Sequence, residues 1–573
     1  MKYIYILVFV FAQVFVSCDD ILDVNDELSE AGALNKETMF SSKENIEGVV
    51  GGVYGKFAAE RYNGGNFFEM TSAHTPYFAN GGGRGKDFSR FNIPPTQKNM
   101  GDMWIAIYQT VDHANHLIKN LNELVPDLST TPRNLGQGCF LRALIYFDLL
   151  RVWGEVPLRT EPAIGETVFL PKSSKQEIYD QIIGDFTLAA ELLPTERGEV
   201  IDGLVYEAGR PLSYAANGYL AKVYMNMATE SGLSGSSAEY WNLAYTNAKL
   251  VEMSGRYELV NTYEELFREG NENSIESIFE LQYTAAGTTA RSGGHSGMCG
   301  PNRSEWNTRT NGGNLRLTRL AFHDHHVDYS ININGANGVA DTHPDTRIAE
   351  TYAYGTYDRV GASRPVKIYP LQWFNGNGNN WVIKYSEVSN ANVNSSRNRK
   401  MFRYADLLLM LAEIENERGN TQNAIDFIEP VLFRADNTGT LFDNIGVVGS
   451  TPKGEVRDRI LKERIYELVG EGHEWFDLRR QYNDAGVSFL KIRMDRREVL
   501  MTPHKYVAAG PNPDSDQFDF KGVTKYNDNA YQFDLTGITA DENLITKNMR
   551  FPIPLLEISG NNAVDQSDQN IGY

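Results

Sequence analysis

The chain has 573 residues, 41% of them hydrophobic and 22% charged, enough for a large core in one domain or several. Its formal net charge of −20 argues against nucleic acid or an anionic lipid surface as partner, because such a chain repels both. Only three cysteines occur.

The N-terminus carries the first signal. Lys2 supplies a positive start, residues 4–16 form an apolar run, and small Ser17 precedes Cys18, Asp19 and Asp20. A bilayer span needs about 20 apolar residues, so the run reads as an export signal rather than a membrane helix. It resembles a bacterial lipoprotein signal, 1–17, in which Cys18 is lipidated and becomes the new N-terminus. In the remainder, Cys139 sits in an apolar helical stretch and Cys299 in a glycine-rich loop, and we read both as free thiols.

Helices are predicted over 43–61, 103–124, 175–193, 211–228 and 239–253. Apolar stripes at helical spacing add three more, carried by Phe140, Leu141, Leu144, Ile145 and Phe147, by Leu407, Leu408, Leu411 and Ile414, and by Ile460, Leu461, Ile465 and Leu468. Ala215, Tyr219, Ala221, Tyr224, Ala244 and Ala248 alternate small with large, as in tetratricopeptide packing, although no strict period is visible. The fold class is therefore mostly α, a tetratricopeptide-like helix-pair scaffold with long irregular loops.

Those loops are 71–101, 283–341 and 352–403, too long for plain connections. They carry Tyr77, Phe78, Phe88, Phe91, Trp306, Tyr369, Trp373, Phe374 and Trp381, whereas unfolded segments are poor in aromatic rings. Ordered, aromatic and rich in Asn and Gly, they suit a recognition surface.

Catalytic motifs fail on inspection. Residues 294–298 resemble a nucleophile elbow but end on Met298 with no alternating strand before them. Residues 80–87 resemble a phosphate loop, yet Asn80 replaces the first glycine and Asp87 the hydroxyl residue that would hold magnesium. A pair of acidic residues for glycoside cleavage carries no specificity among 74 acidic side chains. His323, Asp324, His325 and His326 are adjacent and rarely converge on one metal ion. Residues 330–341 match calcium-loop spacing with Ser330 first and Asp341 last, but read better as a polar turn. No cofactor or metal is expected.

Ordered motifs run along the whole mature length. Leu22 and Asp23 follow the cysteine; Trp104, Tyr108 and Asn115 lie on an early helix; residues 142–147 precede Trp153, Gly154, Glu155, Val156, Pro157 and Leu158. Later come Lys384 and Tyr385, residues 403–413, Glu463 and Arg464, Glu467 and Leu468, residues 471–478, Pro552, Ile553 and Pro554, and residues 569–573. In this order the motifs resemble the SusD/RagB outer-membrane lipoproteins of Bacteroidetes.

The resemblance implies one SusD-like domain over 18–573 and a non-catalytic, lipid-anchored binding protein on the cell surface. It also implies a SusC-like TonB-dependent transporter as partner and an oligosaccharide as ligand. A peptide-binding RagB-like protein, or a glycan-degrading lipoprotein enzyme, are the alternatives. Sugar rings stack on aromatics while Asn and Arg bond their hydroxyls. The candidate ligand residues are Tyr77, Phe78, Asn80, Arg84, Trp306, Arg309 and Trp373, with Arg142, Trp153, Glu413 and Trp475 read as structural.

Overall fold

The computed structural model describes residues 36–80, 85–268, 270–283, 315–317, 319–329, 345–352, 355–357, 366–368, 382–385, 397–436, 438–501 and 546–573. Its principal helices are α1 (Lys43–Phe57), α2 (Asn66–Ala73), α3 (Lys98–Leu124), α4 (Thr131–Trp153), α5 (Lys175–Leu192), α6 (Ser213–Ala228) and α7 (Ser237–Met253). Then follow α8 (Arg319–Tyr329), α9 (Tyr404–Glu417), α10 (Thr421–Ala435), α11 (Lys453–Leu468), α12 (Glu474–Arg480) and α13 (Phe489–Met501). Short strands β1 (Phe78–Asn80), β2 (Ser277–Leu281), β3 (Leu315–Leu317) and β4 (Arg399–Arg403) lie between them.

Local chemistry sets the helix ends. Ser174 with Glu177 and Ser236 with Glu239 form capping boxes that satisfy the first amides of α5 and α7. Pro132 opens α4, and Gly154, at φ 83°, closes it in a conformation that a side chain would disfavour.

From α3 to α7 each helix packs on the next, α7 then packs on α9, and the order continues through α10 and α11. This is a helix-pair array with residues 254–403 inserted between α7 and α9. Packing uses the small and large positions read from the sequence: Ala215, Ala221, Ala244 and Ala248 are fully buried, letting the backbones approach. Phe140, Phe186 and Tyr219, with ring centroids 5.6–5.7 Å apart, lock α4, α5 and α6 together.

Several sequence motifs are spent on closing this scaffold. Arg142 makes a bidentate pair with Asp185, both bonds 2.8 Å, and donates to Asn115 Oδ1 at 3.0 Å. The C-terminal tail straps the first helix pair: Trp153 Nε1 donates to Pro552 O at 3.1 Å, Trp104 Nε1 to Glu557 Oε2 at 2.9 Å, and Asn570 Nδ2 to Trp153 O at 2.8 Å. Glu413 accepts from Arg480 Nη2 at 2.7 Å, and Trp475 is stacked on Phe551 with centroids 4.8 Å apart. All four residues read as structural are buried.

Candidate functional site

Two antiparallel ribbons form the bases of the long excursions. In the first, β1 pairs with β3 in the register Phe78↔Leu317, Ala79↔Arg316 and Asn80↔Leu315. Antiparallel pairing makes the chain after Asn80 and the chain before Leu315 leave by the same end of the ribbon. Arg84 is four residues beyond that end, Arg309 six residues and Trp306 nine residues before it. In the second ribbon, β2 pairs with β4 from Ser277↔Arg403 to Leu281↔Arg399, so residues after 281 and before 399 likewise share one end.

Residues 353–381, which include Trp373, start and finish at one point. Tyr352 and Val382 form a β-bridge, and Ile383 N donates to Thr351 O at 2.9 Å. This base meets the first ribbon through α8, the helix that follows β3. His325 on α8 is fully buried, with Nδ1 3.2 Å from Tyr352 Oη, Nε2 2.8 Å from Asp345 Oδ2, and its ring stacked on Tyr466 at 4.2 Å.

Beneath both bases runs a buried ionic network centred on α11. Arg347 reaches Asp345 Oδ2 at 2.7 Å, Glu463 Oε2 at 3.1 Å and Glu467 Oε2 at 3.4 Å. Arg403 reaches Glu276 Oε1 and Glu471 Oε2 at 2.8 Å each and Glu467 Oε1 at 2.6 Å, while Lys384 Nζ lies 3.0 Å from Glu471 Oε1. Burial alone would raise the Glu467 carboxyl, yet Arg434, Arg403 and Arg347 hold it well below the usual carboxylate range. Burial also pulls the Lys384 ammonium down to about 8, against the opposing attraction of Glu471. Glu463, Glu467 and Glu471 recur every four residues among Ile460, Leu461, Ile465 and Leu468, a pattern that could have announced buried partners on neighbouring segments. The sequence reading passed over it.

The structure corrects two candidate ligand residues. Tyr77 is 2% exposed and Phe78 1%, both within the hydrophobic core, so neither ring offers a face to a ligand. Phe88 and Phe91 are buried too, and Phe88 packs on Phe551 at 4.9 Å. The aromatics of 74–91 anchor the chain to the scaffold, because an apolar ring next to a wholly buried helix such as α2 is driven inward. Much of the expected 71–101 loop is therefore packed structure. Asn80 is placed by its backbone, opposite Leu315. Arg84, Trp306, Arg309 and Trp373 lie outside the described residues, as do Cys18, Cys299 and residues 330–341.

Among the described residues no three His, Cys, Asp or Glu side chains converge as a metal cage, and no helix is long and apolar enough to cross a membrane. His325 is occupied by Asp345 and Tyr352. Cys139 is a free, buried thiol whose pKa burial pushes up to about 12. The described geometry is a rigid helical platform carrying strand-pinned excursions.

That arrangement recurs in solved structures. A SusD homologue from Bacteroides thetaiotaomicron matches with TM-score 0.71 at 20% identity, covering 94% of this chain and 98% of that one. A laminarin-binding SusD-like protein matches with TM-score 0.63 at 21% identity, covering 93% and 100%. A surface glycan-binding protein A from Bacteroides fluxus matches with TM-score 0.63 at 19% identity and the same coverage. At such identities the likeness shows the fold alone.

Sequence comparison carries the assignment further. A SusD-like protein of Formosa agariphila is 24% identical over 517 residues, 84% of this chain and 90% of its relative. A family model described as starch-binding associating with outer membrane matches residues 20–225. The SusD family model matches residues 275–573, more than half of the chain, and the protein belongs to that family.

Proposed function

We propose that this is a cell-surface lipoprotein, anchored through Cys18, that binds an oligosaccharide on its excursions and passes it to a SusC-like TonB-dependent transporter. One observation supports the site above others. The β1/β3 pairing sends the segments bearing Arg84 and those bearing Trp306 and Arg309 out of the same ribbon end. A chain spans at most about 3.3–3.6 Å per residue, so the four to nine residues from that end leave Arg84, Arg309 and Trp306 enough length to meet Asn80 at one ligand. Trp373 belongs to the excursion closed at Tyr352 and Val382, and Tyr77 and Phe78 serve as its neighbours' anchors rather than as contacts.

The starch-binding description of the N-terminal family model and the glycan ligands named for two structural neighbours favour a sugar over a peptide. Binding without turnover follows from the failed catalytic motifs. A lipid tether leaves import itself to another protein, and tethering keeps even a modest lid-to-barrel interface occupied.

The test is a glycan and peptide array probed with the mature chain, followed by titration of the best hit against Trp306→Ala. A ring that stacks on the ligand is worth about 1–3 kcal/mol, so affinity should fall severalfold to a hundredfold at unchanged Tm. Binding confined to peptides, or release of new reducing ends from the bound glycan, would replace this reading with one of its alternatives.

A further inference from the structure

A second, smaller feature lies inside the scaffold, away from the excursions. Where α2, α4, α6, β4 and α12 meet, a cavity of about 60 Å³ is lined by five cationic side chains: Arg151, Lys222, Arg399, Arg464 and Arg480. Four of them have a carboxylate. Arg151 lies 2.6 Å from Asp148, Lys222 2.6 Å from Asp406, Arg464 2.7 Å from Asp477, and Arg480 pairs with Glu413.

Arg399 has none at ion-pair distance among the described residues, and the Asp148 charge acts on it only from further away. Its Nη1 donates to Asn63 O at 2.9 Å and Oδ1 at 3.3 Å, its Nε is buried without a partner, and Nη2 makes no hydrogen bond to a described residue. The residue is 4% exposed, and its guanidinium sits 5.2 Å from the Phe68 ring centroid. An uncompensated buried charge costs several kcal/mol, and a guanidinium does not escape by losing its proton.

The space in front of Arg399 is kept open by Gly472. At φ +90°, this residue adopts a conformation suited to glycine, and a Cβ there would come within 3.2 Å of Nη2. Nor do the wall carboxylates turn toward the gap. Asp148 accepts from Tyr62 Oη and Arg151, Glu471 from Lys384 and Arg403, and Asp477 from Arg464 and Arg480. His473 adds no charge at neutral pH, since burial pulls its pKa to about 4. Arg479 also lacks a carboxylate, but its charge rests over the Trp475 and Phe476 rings and it does not line this cavity.

We propose that the cavity is a binding site for a small monovalent anion of halide size, held by Nη2 of Arg399. The space admits a halide with a few waters. The ion would tie β4, and with it the base of the second ribbon, to the Gly472 turn and α2.

The experiment compares thermal unfolding of the full mature protein in sodium chloride and in sodium gluconate at equal ionic strength, and soaks wild-type crystals in sodium bromide. Chloride should raise Tm in a saturable way that gluconate does not reproduce. Arg399→Gln should abolish that difference, and bromide should give an anomalous peak beside Arg399. If Arg399→Gln fails to fold, the wild-type salt comparison and bromide peak still decide. Equal Tm in both salts with no bromide in the cavity, or an Arg399→Gln variant that keeps the full chloride response, would leave only water there and overturn the proposal.

Discussion

The stacked helices between Lys98 and Ala228 and the inserted stretch from Glu276 to Arg403 are joined to the rest of the molecule by different chemistry. The first group meets mainly through rings and alanines such as Phe140, Phe186, Tyr219 and Ala215, with Arg142 and Asp185 as a buried ion pair between α4 and α5. The second docks through buried ions: Arg347 and Arg403 on Glu463 and Glu467 of α11, Lys384 on Glu471 just past that helix, and Glu276 on Arg434 of α10. Apolar contact is non-directional and tolerates a small slide, whereas a buried ion displaced from its partner is left desolvated and alone. Buried pairs add little net stability over apolar residues of similar volume, so the network's contribution is position. It sets where the excursion bases sit on a scaffold that hydrophobic packing alone would hold less specifically.

Breaking the ionic side should cost most. Arg403→Met takes one partner at once from Glu276, Glu467 and Glu471, leaving them to Arg434, Arg347 and Lys384, and should destabilise by about 3–5 kcal/mol in urea unfolding at pH 7. The sign of its pH dependence follows from Glu467. A carboxyl held below its unfolded value contributes stability above about pH 4.3 and loses it as pH falls. The gap between wild type and variant should therefore narrow as pH falls below about 4; a constant gap there would mean the arginine acts by packing alone.

Glu474, seven residues from Glu467, sharpens the contrast because it is buried outside the network. Burial pushes its pKa up to about 7, with Oε1 accepting from Gly470 N at 2.6 Å and Oε2 unpartnered. A raised carboxyl binds its proton more tightly in the folded state, so its cost is absent below about pH 4.3 and grows as pH rises to 7. Glu474→Gln should thus gain up to about 3 kcal/mol on wild type at pH 8 and almost nothing at pH 4. Equal effects at the two pH values would count against a lone, desolvated carboxylate.

Where the two regions meet by apolar contact, Gly218 of α6 faces the Phe402 ring of β4 so closely that a Cβ would overlap it. Gly218→Ala should cost about 1–3 kcal/mol through overpacking, despite the better helix propensity of alanine. Tm measurement checks it; a stabilised variant would show that the ring moves aside freely. The smallest effect belongs to the surface, where Lys98 and Asp102 pair at 2.7 Å with the lysine 80% exposed. Asp102→Asn should change stability by less than about 0.5 kcal/mol, a shift that vanishes in high salt.

The two regions also differed in how far the sequence disclosed them. Helices α3 to α7, α9 and α11 were readable because a 3.6-residue stripe reports burial directly, and the observed ends of α5 and α6 fall within two residues of those predicted, whereas α10 was not predicted. Arg142, Trp153, Glu413 and Trp475 were correctly read as structural. The ionic network was hidden because charge normally signals exposure, and its partners lie up to 158 residues apart, as Glu276 and Arg434 do. Tyr77 and Phe78 misled for a related reason. A ring that anchors a loop and a ring that greets a ligand are the same residue type, and only the paired strand β3 distinguishes them.

The bridge between Tyr352 and Val382 has a consequence for how such proteins diversify. Because residues 353–381 enter and leave at adjoining points, their length is decoupled from the platform that carries them. Doubling a flexible loop raises its closure cost by only about 0.6 kcal/mol. Insertions, deletions or whole exchanges between these two residues can therefore accumulate with little penalty to folding, making this stretch a replaceable cartridge on an inherited chassis.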